Sequence, residues 1–116
     1  MSGRKLGLGS VSLLVTFLVL GCVTVNYIGN SFDPTTSIDM FFSEDEIMQE
    51  YTVIGHAIGS GVWASNDEIQ VKLIEKAKLK GADAILITGL GRSNVPTGPS
   101  SSAPENQINA SFLKYK

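Results

Sequence analysis

The sequence predicts a small α+β domain, a mixed sheet in the order β-β-α-β-β with one amphipathic helix on one face, preceded by a signal peptide. Three observations carry this prediction. Arg4 and Lys5 open the chain, and no residue from Leu6 to Leu20 is charged. Apolar and polar residues alternate with period two near Ile38 and again near Ile108, as in half-buried strands. Between them, Ile69, Leu73, Ile74 and Ala77 recur at the spacing of one helix face.

Residues 1–21 have the order of a targeting peptide: a basic start, a dense apolar core around Leu13–Leu20, then small residues at Gly21 and Cys22. The strongly apolar part is shorter than the roughly 20 residues that span a hydrocarbon core. Val19-Leu20-Gly21-Cys22 resembles the lipobox of bacterial lipoproteins. That resemblance implies cleavage between Gly21 and Cys22, a diacylglyceryl group on the Cys22 thiol and an N-acyl chain on the new terminus. Leu20 stands where Ala or Ser is commoner. Each buried methylene contributes about 0.8 kcal/mol, and two or more chains give stable attachment. The competing readings are an uncleaved anchor, an ordinary signal peptide with a stray thiol, and a buried Cys packed as a small hydrophobe. Cys22 is the only cysteine, so an internal disulfide is excluded. Val23 rather than Asp follows it, which under the sorting rule of enteric lipoproteins implies the outer membrane, facing the periplasm.

Cleavage there leaves 95 of the 116 residues, enough for one modest core. Loss of Arg4 and Lys5 from nine basic residues leaves seven against eleven acidic, a formal balance of −4. That argues against nucleic acid as a partner, which calls for a clustered basic surface.

Residues 22–36 read as a tether, with turn chemistry at Gly29-Asn30-Ser31 and Asp33-Pro34, although Tyr27, Ile28 and Phe32 are apolar for a free linker. The domain proper covers 37–116. Ser37–Ser43 reads as the first strand and Glu44–Glu50 as an acidic connection; Tyr51–Ile58 is the second strand, with Gly55 and Gly59 marking a bulge or close backbone approach. Gly59-Ser60-Gly61 reads as a loop before the helix: it lacks the Gly-Lys-Ser/Thr ending of a phosphate loop. Ser65 with Glu68 forms a capping-box pattern, Glu68 and Lys72 are spaced as an i,i+4 pair, and Gly81 is placed to stop the helix. Ala84–Ile87 reads as a strand buried on both faces. The Pro- and Ser-rich stretch 89–106 reads as a flexible loop, and Gln107–Tyr115 as the last strand. The strand-helix-strand unit implies two parallel strands. One helix leaves the opposite face to be covered by the tether or by a partner.

Tyr51-Thr-Val-Ile-Gly55, a helix with Lys76-Ala77 near its end, and Gly81-Ala82-Asp83-Ala84-Ile85 together resemble the small domain of YbjQ-like proteins and related envelope lipoproteins. The Rcs phosphorelay sensor lipoprotein has a related fold. The resemblance covers about 40 residues and implies structural roles: Gly81 in left-handed backbone, Ala82 and Ala84 passing close under the helix, Asp83 bonding backbone in the turn. Heavy-metal binding in some YbjQ-like proteins needs ligands this chain does not hold alone, since His56 is the only histidine and Cys22 is expected to carry lipid.

No catalytic set stands out. His56 with Asp39 or Glu50 and a serine has no triad spacing, and no Gly-x-Ser-x-Gly elbow is present. Trp63, in a Gly-rich context beside the helix start, reads as a lid on the core or, alternatively, as an aromatic anchor for a partner; His56 is the other possible partner contact. The expectation is therefore a non-enzymatic, lipid-anchored envelope protein that binds a protein partner, assembles with itself or senses the envelope, with no metal and no cofactor beyond the lipid on Cys22. The alternative is a small-ligand or metal-binding sensor acting as an oligomer.

Overall fold

A computed structural model describes residues 22–116. The predicted signal segment 1–21, including the cleavage-side residue Gly21, lies outside the described residues. The protein is a small α+β domain with one helix, α1 (Asn66–Leu79), on a mixed five-stranded sheet. The strands are β1 (Cys22–Gly29), β2 (Asp39–Phe41), β3 (Tyr51–Val62), β4 (Ala84–Gly98) and β5 (Ser101–Tyr115), with a 3-10 turn at Glu44–Glu46. Their order across the sheet is β1-β3-β5-β4-β2; only the β2–β4 pairing is parallel. The strands joined through the helix, β3 and β4, run parallel as expected, but β5 lies between them.

The first half of the expected tether is instead an edge strand. Val23, Val25 and Tyr27 turn toward the helix side and are half-buried, whereas Thr24, Asn26 and Ile28 are exposed. This is a period-two pattern, and β3 offers it a partner along its full length, from Cys22 opposite Val62 to Gly29 opposite Gly55. Tyr27 fixes the register. Its ring stacks on Phe112 with centroids 5.0 Å apart, and its hydroxyl donates to the Asn30 carbonyl at 2.6 Å. A Cβ on Gly55 would fall 2.5 Å from Tyr27 Cζ, so the ring occupies space that only glycine leaves open. The bulge expected near this glycine lies between Val53 and Gly55.

After β1 the chain crosses beneath the C-terminal end of α1 to reach the opposite edge of the sheet as β2. In crossing it serves carbonyls at the helix end: Phe32 N–H donates to Lys80 O at 2.9 Å, and Thr35 N–H adds a further donor to Lys78 O at 3.0 Å. Gly81 ends the helix at φ +78° in a Schellman motif, with Ala82 N–H donating to Ala77 O and Gly81 N–H to Lys78 O. A side chain there would strike Asp33 O and the Phe32 backbone. At the other end Ser65 Oγ accepts from Glu68 N–H at 3.2 Å. The expected Glu68–Lys72 pair gives way to Lys72–Glu75 at 3.4 Å, exposed and worth a few tenths of a kcal/mol.

The main core lies between α1 and the sheet. Ile69, Leu73 and Ala77 meet Ile54, Ala57, Ile85, Ile108 and Phe112, with Ile74 at the margin. Each large, fully buried side chain contributes about 1.5–3 kcal/mol, so this layer outweighs the surface ion pair severalfold. Ala84 does not pass under the helix as expected. Strand alternation turns it to the other face, where it joins Leu86 and Leu113 in a second cluster covered by Phe41, Ile47, Tyr51 and Tyr115. Ile47, from the acidic connection, thus covers part of the face expected to need the tether or a partner. The rest of that face carries Thr24, Asn26, His56, Ser60, Gln107 and Asn109, with the exposed Ile28 and Ile58 among them.

Two further expectations are corrected. Gly59-Ser60-Gly61 is not a loop but the upper part of β3, where absent side chains let the helix approach: a Cβ on Gly59 would lie 2.7 Å from Ile69 Cγ2. The stretch 89–106 is not a loop either. It continues β4 and β5 as a hairpin closed by Pro99-Ser100 between Gly98 and Ser101. Composition argues against a packed core there. A hairpin ladder, however, satisfies backbone groups without one, and an existing β4–β5 pair only has to be extended.

Gly59→Ala is expected to destabilise the fold by about 1–3 kcal/mol through overpacking against Ile69 and Leu73. Urea unfolding checks this; an unchanged midpoint would show that helix and sheet are not held at this spacing.

Candidate functional site

The residues singled out by sequence fall at two places. Cys22 is exposed and is the first residue of β1. Its cross-strand partner is Val62, so it lies at the same end of the sheet as Trp63, the residue that follows. His56 lies farther down β3, exposed on the face away from the helix. The structure therefore brings Cys22 and Trp63 together at one end and leaves His56 apart from them.

Trp63 is not a lid on the core. It is 72% exposed. It is also the only non-glycine residue among those described with positive φ, at +62°. Left-handed backbone costs an L-residue roughly 1–2 kcal/mol, and a bulky side chain is rarely found there. The turn is held from both sides. Trp63 N–H donates to Pro104 O at 3.0 Å, tying the end of β3 to the base of the hairpin, and Asn106 Nδ2 donates to Ala64 O at 2.7 Å. Ala64 is buried and takes the place in the core that sequence reading gave to the indole.

His56 Nδ1 lies 3.2 Å from Ser111 Oγ, with Ser111 itself 6% exposed. The other members of an imagined triad do not join them. Asp39 is on β2, three strands away, a separation of roughly 14 Å at about 4.8 Å per strand. β5 is paired on both sides, so its backbone donors serve ladders rather than an oxyanion. The His56–Ser111 contact is a cross-strand pair that satisfies a buried hydroxyl.

The carboxylates of Asp39 and Asp83 are engaged by the C-terminal strand. Tyr115 Oη donates to Asp39 Oδ2 at 2.6 Å, Tyr115 N–H donates to Asp83 Oδ2 at 2.9 Å, and Lys114 Nζ lies 3.8 Å from the same oxygen. Asp83 bonds backbone, as expected, but that of β5 rather than its own turn. Burial, the bond to Asp39 and the charges of Asp39 and Asp83 push the Tyr115 hydroxyl up to about 12. A shallow groove between β1 and α1 is lined by Val23, Val25, Lys72, Glu75, Lys76 and Leu79. Among the described residues no three His, Cys, Asp or Glu side chains converge as a metal would require, and no helix is long and apolar enough to cross a membrane.

Compared with known protein families, curated proteins and solved structures, the chain matches none.

The exposed Cys22 was legible as the residue after an apolar run. The outward turn of Trp63 was not, because nothing in Gly61-Val-Trp-Ala64 marks which residue takes left-handed backbone. Trp63→Gly relieves that strain, loses little burial and adds only unfolded-state freedom. It is expected to unfold in urea within about 1 kcal/mol of wild type, and a large loss would show the indole to be a core element. For Tyr115, the native state keeps up to about pH 12 a proton that the unfolded chain releases near pH 10. Its contribution is therefore full below pH 10 and fades as pH rises through 12. Tyr115→Phe should flatten the loss of stability across that window; an equally steep loss in both proteins would contradict the assignment.

Proposed function

We propose that this chain is a lipid-anchored protein of the bacterial cell envelope, built on a YbjQ-like α/β scaffold, whose domain acts by contact rather than by catalysis. The observation that carries the reading is the position of Cys22. The apolar run ends one residue before it, and Cys22 opens the sheet as an exposed residue, open to acylation without disturbing the core. Val23 favours the outer membrane, facing the periplasm.

Two features support a contact role. β1 is an edge strand whose outer side is unpaired, and from Cys22 to Phe32 the chain carries no charge to discourage strand addition. The polar groups that might have formed a reactive centre are paired instead: Asp39 and Asp83 with Tyr115 and Lys114, His56 with Ser111. An envelope protein or a second copy is the partner such an edge fits.

Labelling of growing cells with a fatty-acid probe tests the anchor. Wild type should take up label and lose residues 1–21, and Cys22→Ser should take up no label and keep that segment uncut, while the domain unfolds at the same urea concentration. Wild type without label, or labelled Cys22→Ser, would overturn the reading. Cross-linking of the labelled membranes tests the contact role, and a strict monomer with no partner would count against it.

A further inference from the structure

The geometry points to a membrane-facing end of the domain, formed by Trp63 and the hairpin tip Asn94–Pro104, that rests in the lipid headgroup layer. This inference rests on the anchored reading above and adds an orientation to it. Cys22 is level with Val62, Glu105 and Ser93 across β1, β3, β5 and β4. The chain therefore enters the sheet at the end from which Trp63 and the hairpin project. Because Cys22 is itself the first described residue of β1, acyl chains on its thiol would join the sheet with no residue between. A lipid surface must then lie against this end.

The charge distribution fits that surface. Ser93–Pro104 contains no charged residue, nor does Cys22–Phe32, and Tyr51–Asn66 contains only His56. The charges closest to this end are Arg92 and Glu105 at the hairpin base, Asp67 and Glu68 at the helix start, and Lys72, Glu75 and Lys76, which flank Val23 and Val25 in the groove between β1 and α1. The acidic connection, Lys78 and Lys80 at the end of α1, and Asp83, Lys114 and Lys116 belong to the opposite end. An exposed indole suits the boundary between headgroups and water, where its ring is partly buried and its N–H stays solvated.

The hairpin also limits how the domain can stand. Asn94–Gly98 extends about 16 Å past the level of Cys22, at about 3.3 Å per residue. The headgroup layer on one side of a bilayer is only about 5–8 Å thick. An upright hairpin would carry unpaired edge groups into hydrocarbon, which is prohibitive. The sheet therefore leans, and the hairpin lies along the headgroups beside Trp63.

Trp63 is the only tryptophan, so its fluorescence reports this end alone. The full-length protein, purified from membranes with its acylation read by mass spectrometry, is placed in phosphatidylcholine vesicles containing lipids brominated at shallow or deep acyl positions. Emission should shift to the blue relative to the same protein unfolded in urea, where the indole is in water. Shallow bromines should remove about half the intensity or more and deep bromines much less, with little change at raised salt, because the end is uncharged. Two single-tryptophan proteins in a Trp63→Phe background fix the orientation. Val95→Trp, on the hairpin, should be quenched, and Met48→Trp, in the exposed connection at the far end, should not. Acylated protein with water-like, unquenched Trp63, or Met48→Trp quenched as strongly as Val95→Trp, overturns the orientation and leaves the anchor standing. Protein found without acyl chains and outside the membrane overturns both.

Discussion

The Tyr27 ring, seated in the space left by Gly55 and stacked on Phe112, is the contact on which the arrangement of this protein depends. It draws the segment after the apolar run out of solution and makes it the edge strand of the sheet. Without that seat, Val23, Val25 and Tyr27 would have no half-buried surface to lie on, and residues 22–29 would be a linker. With it, the domain begins at the residue expected to carry lipid. A linker would let the domain tumble above a membrane; an edge strand gives it a fixed end.

The same economy of side chains holds the helix. Gly59 lets α1 approach β3, Gly61 makes room for Ala64 before the helix, and Gly81 turns the chain back through a Schellman motif against the Asp33 backbone. The crossing segment then supplies N–H donors from Phe32 and Thr35 to the last carbonyls of α1. One stretch of chain thus joins the two edges of the sheet and caps its only helix. A single helix covers only part of a five-stranded sheet, and the far face is divided accordingly. Its lower part buries Ala84, Leu86 and Leu113 beneath Ile47 and Tyr115, and its upper part is mostly polar around an exposed Ile58.

Strain and exposure coincide at Trp63. A fold selected for stability alone would place glycine at a φ of +62° and keep an indole in the core. Here the turn is bonded to Pro104 and the ring points into solvent beside Cys22. Backbone strain of this kind persists where surrounding contacts over-determine it and often marks a surface with a use. The uncharged hairpin next to it extends the same end. Cys22, Trp63 and the hairpin are far apart in sequence and are assembled only by the register of β1, β3, β5 and β4.

Much of the fold was legible in the residues. Ser65 and Gly81 bounded the helix, the spacing of Ile69, Leu73 and Ala77 named its buried face, and the alternation near Ile108 and the run Ala84–Ile87 marked strands. These features are local, set by capping, dihedral preference and periodicity. The expectation for Cys22 was equally local, drawn from the apolar run and the small residues around it. What the sequence left open were pairings. The alternation of Val23, Val25 and Tyr27 is itself a strand pattern, but a strand needs a partner, and Gly55 shows its purpose only once Tyr27 lies against it. The Pro- and Ser-rich hairpin has no core of its own and is ordered only as the continuation of β4 and β5. Ala84 and Trp63 face opposite to expectation because strand register and one left-handed residue, neither visible along the chain, decide which way a side chain points. The sequence determined the helix, most of the strands and the residue expected to carry the anchor. The tertiary structure alone decided that Cys22, the indole and the hairpin share one end, because cross-strand register is a relation between segments far apart in the chain.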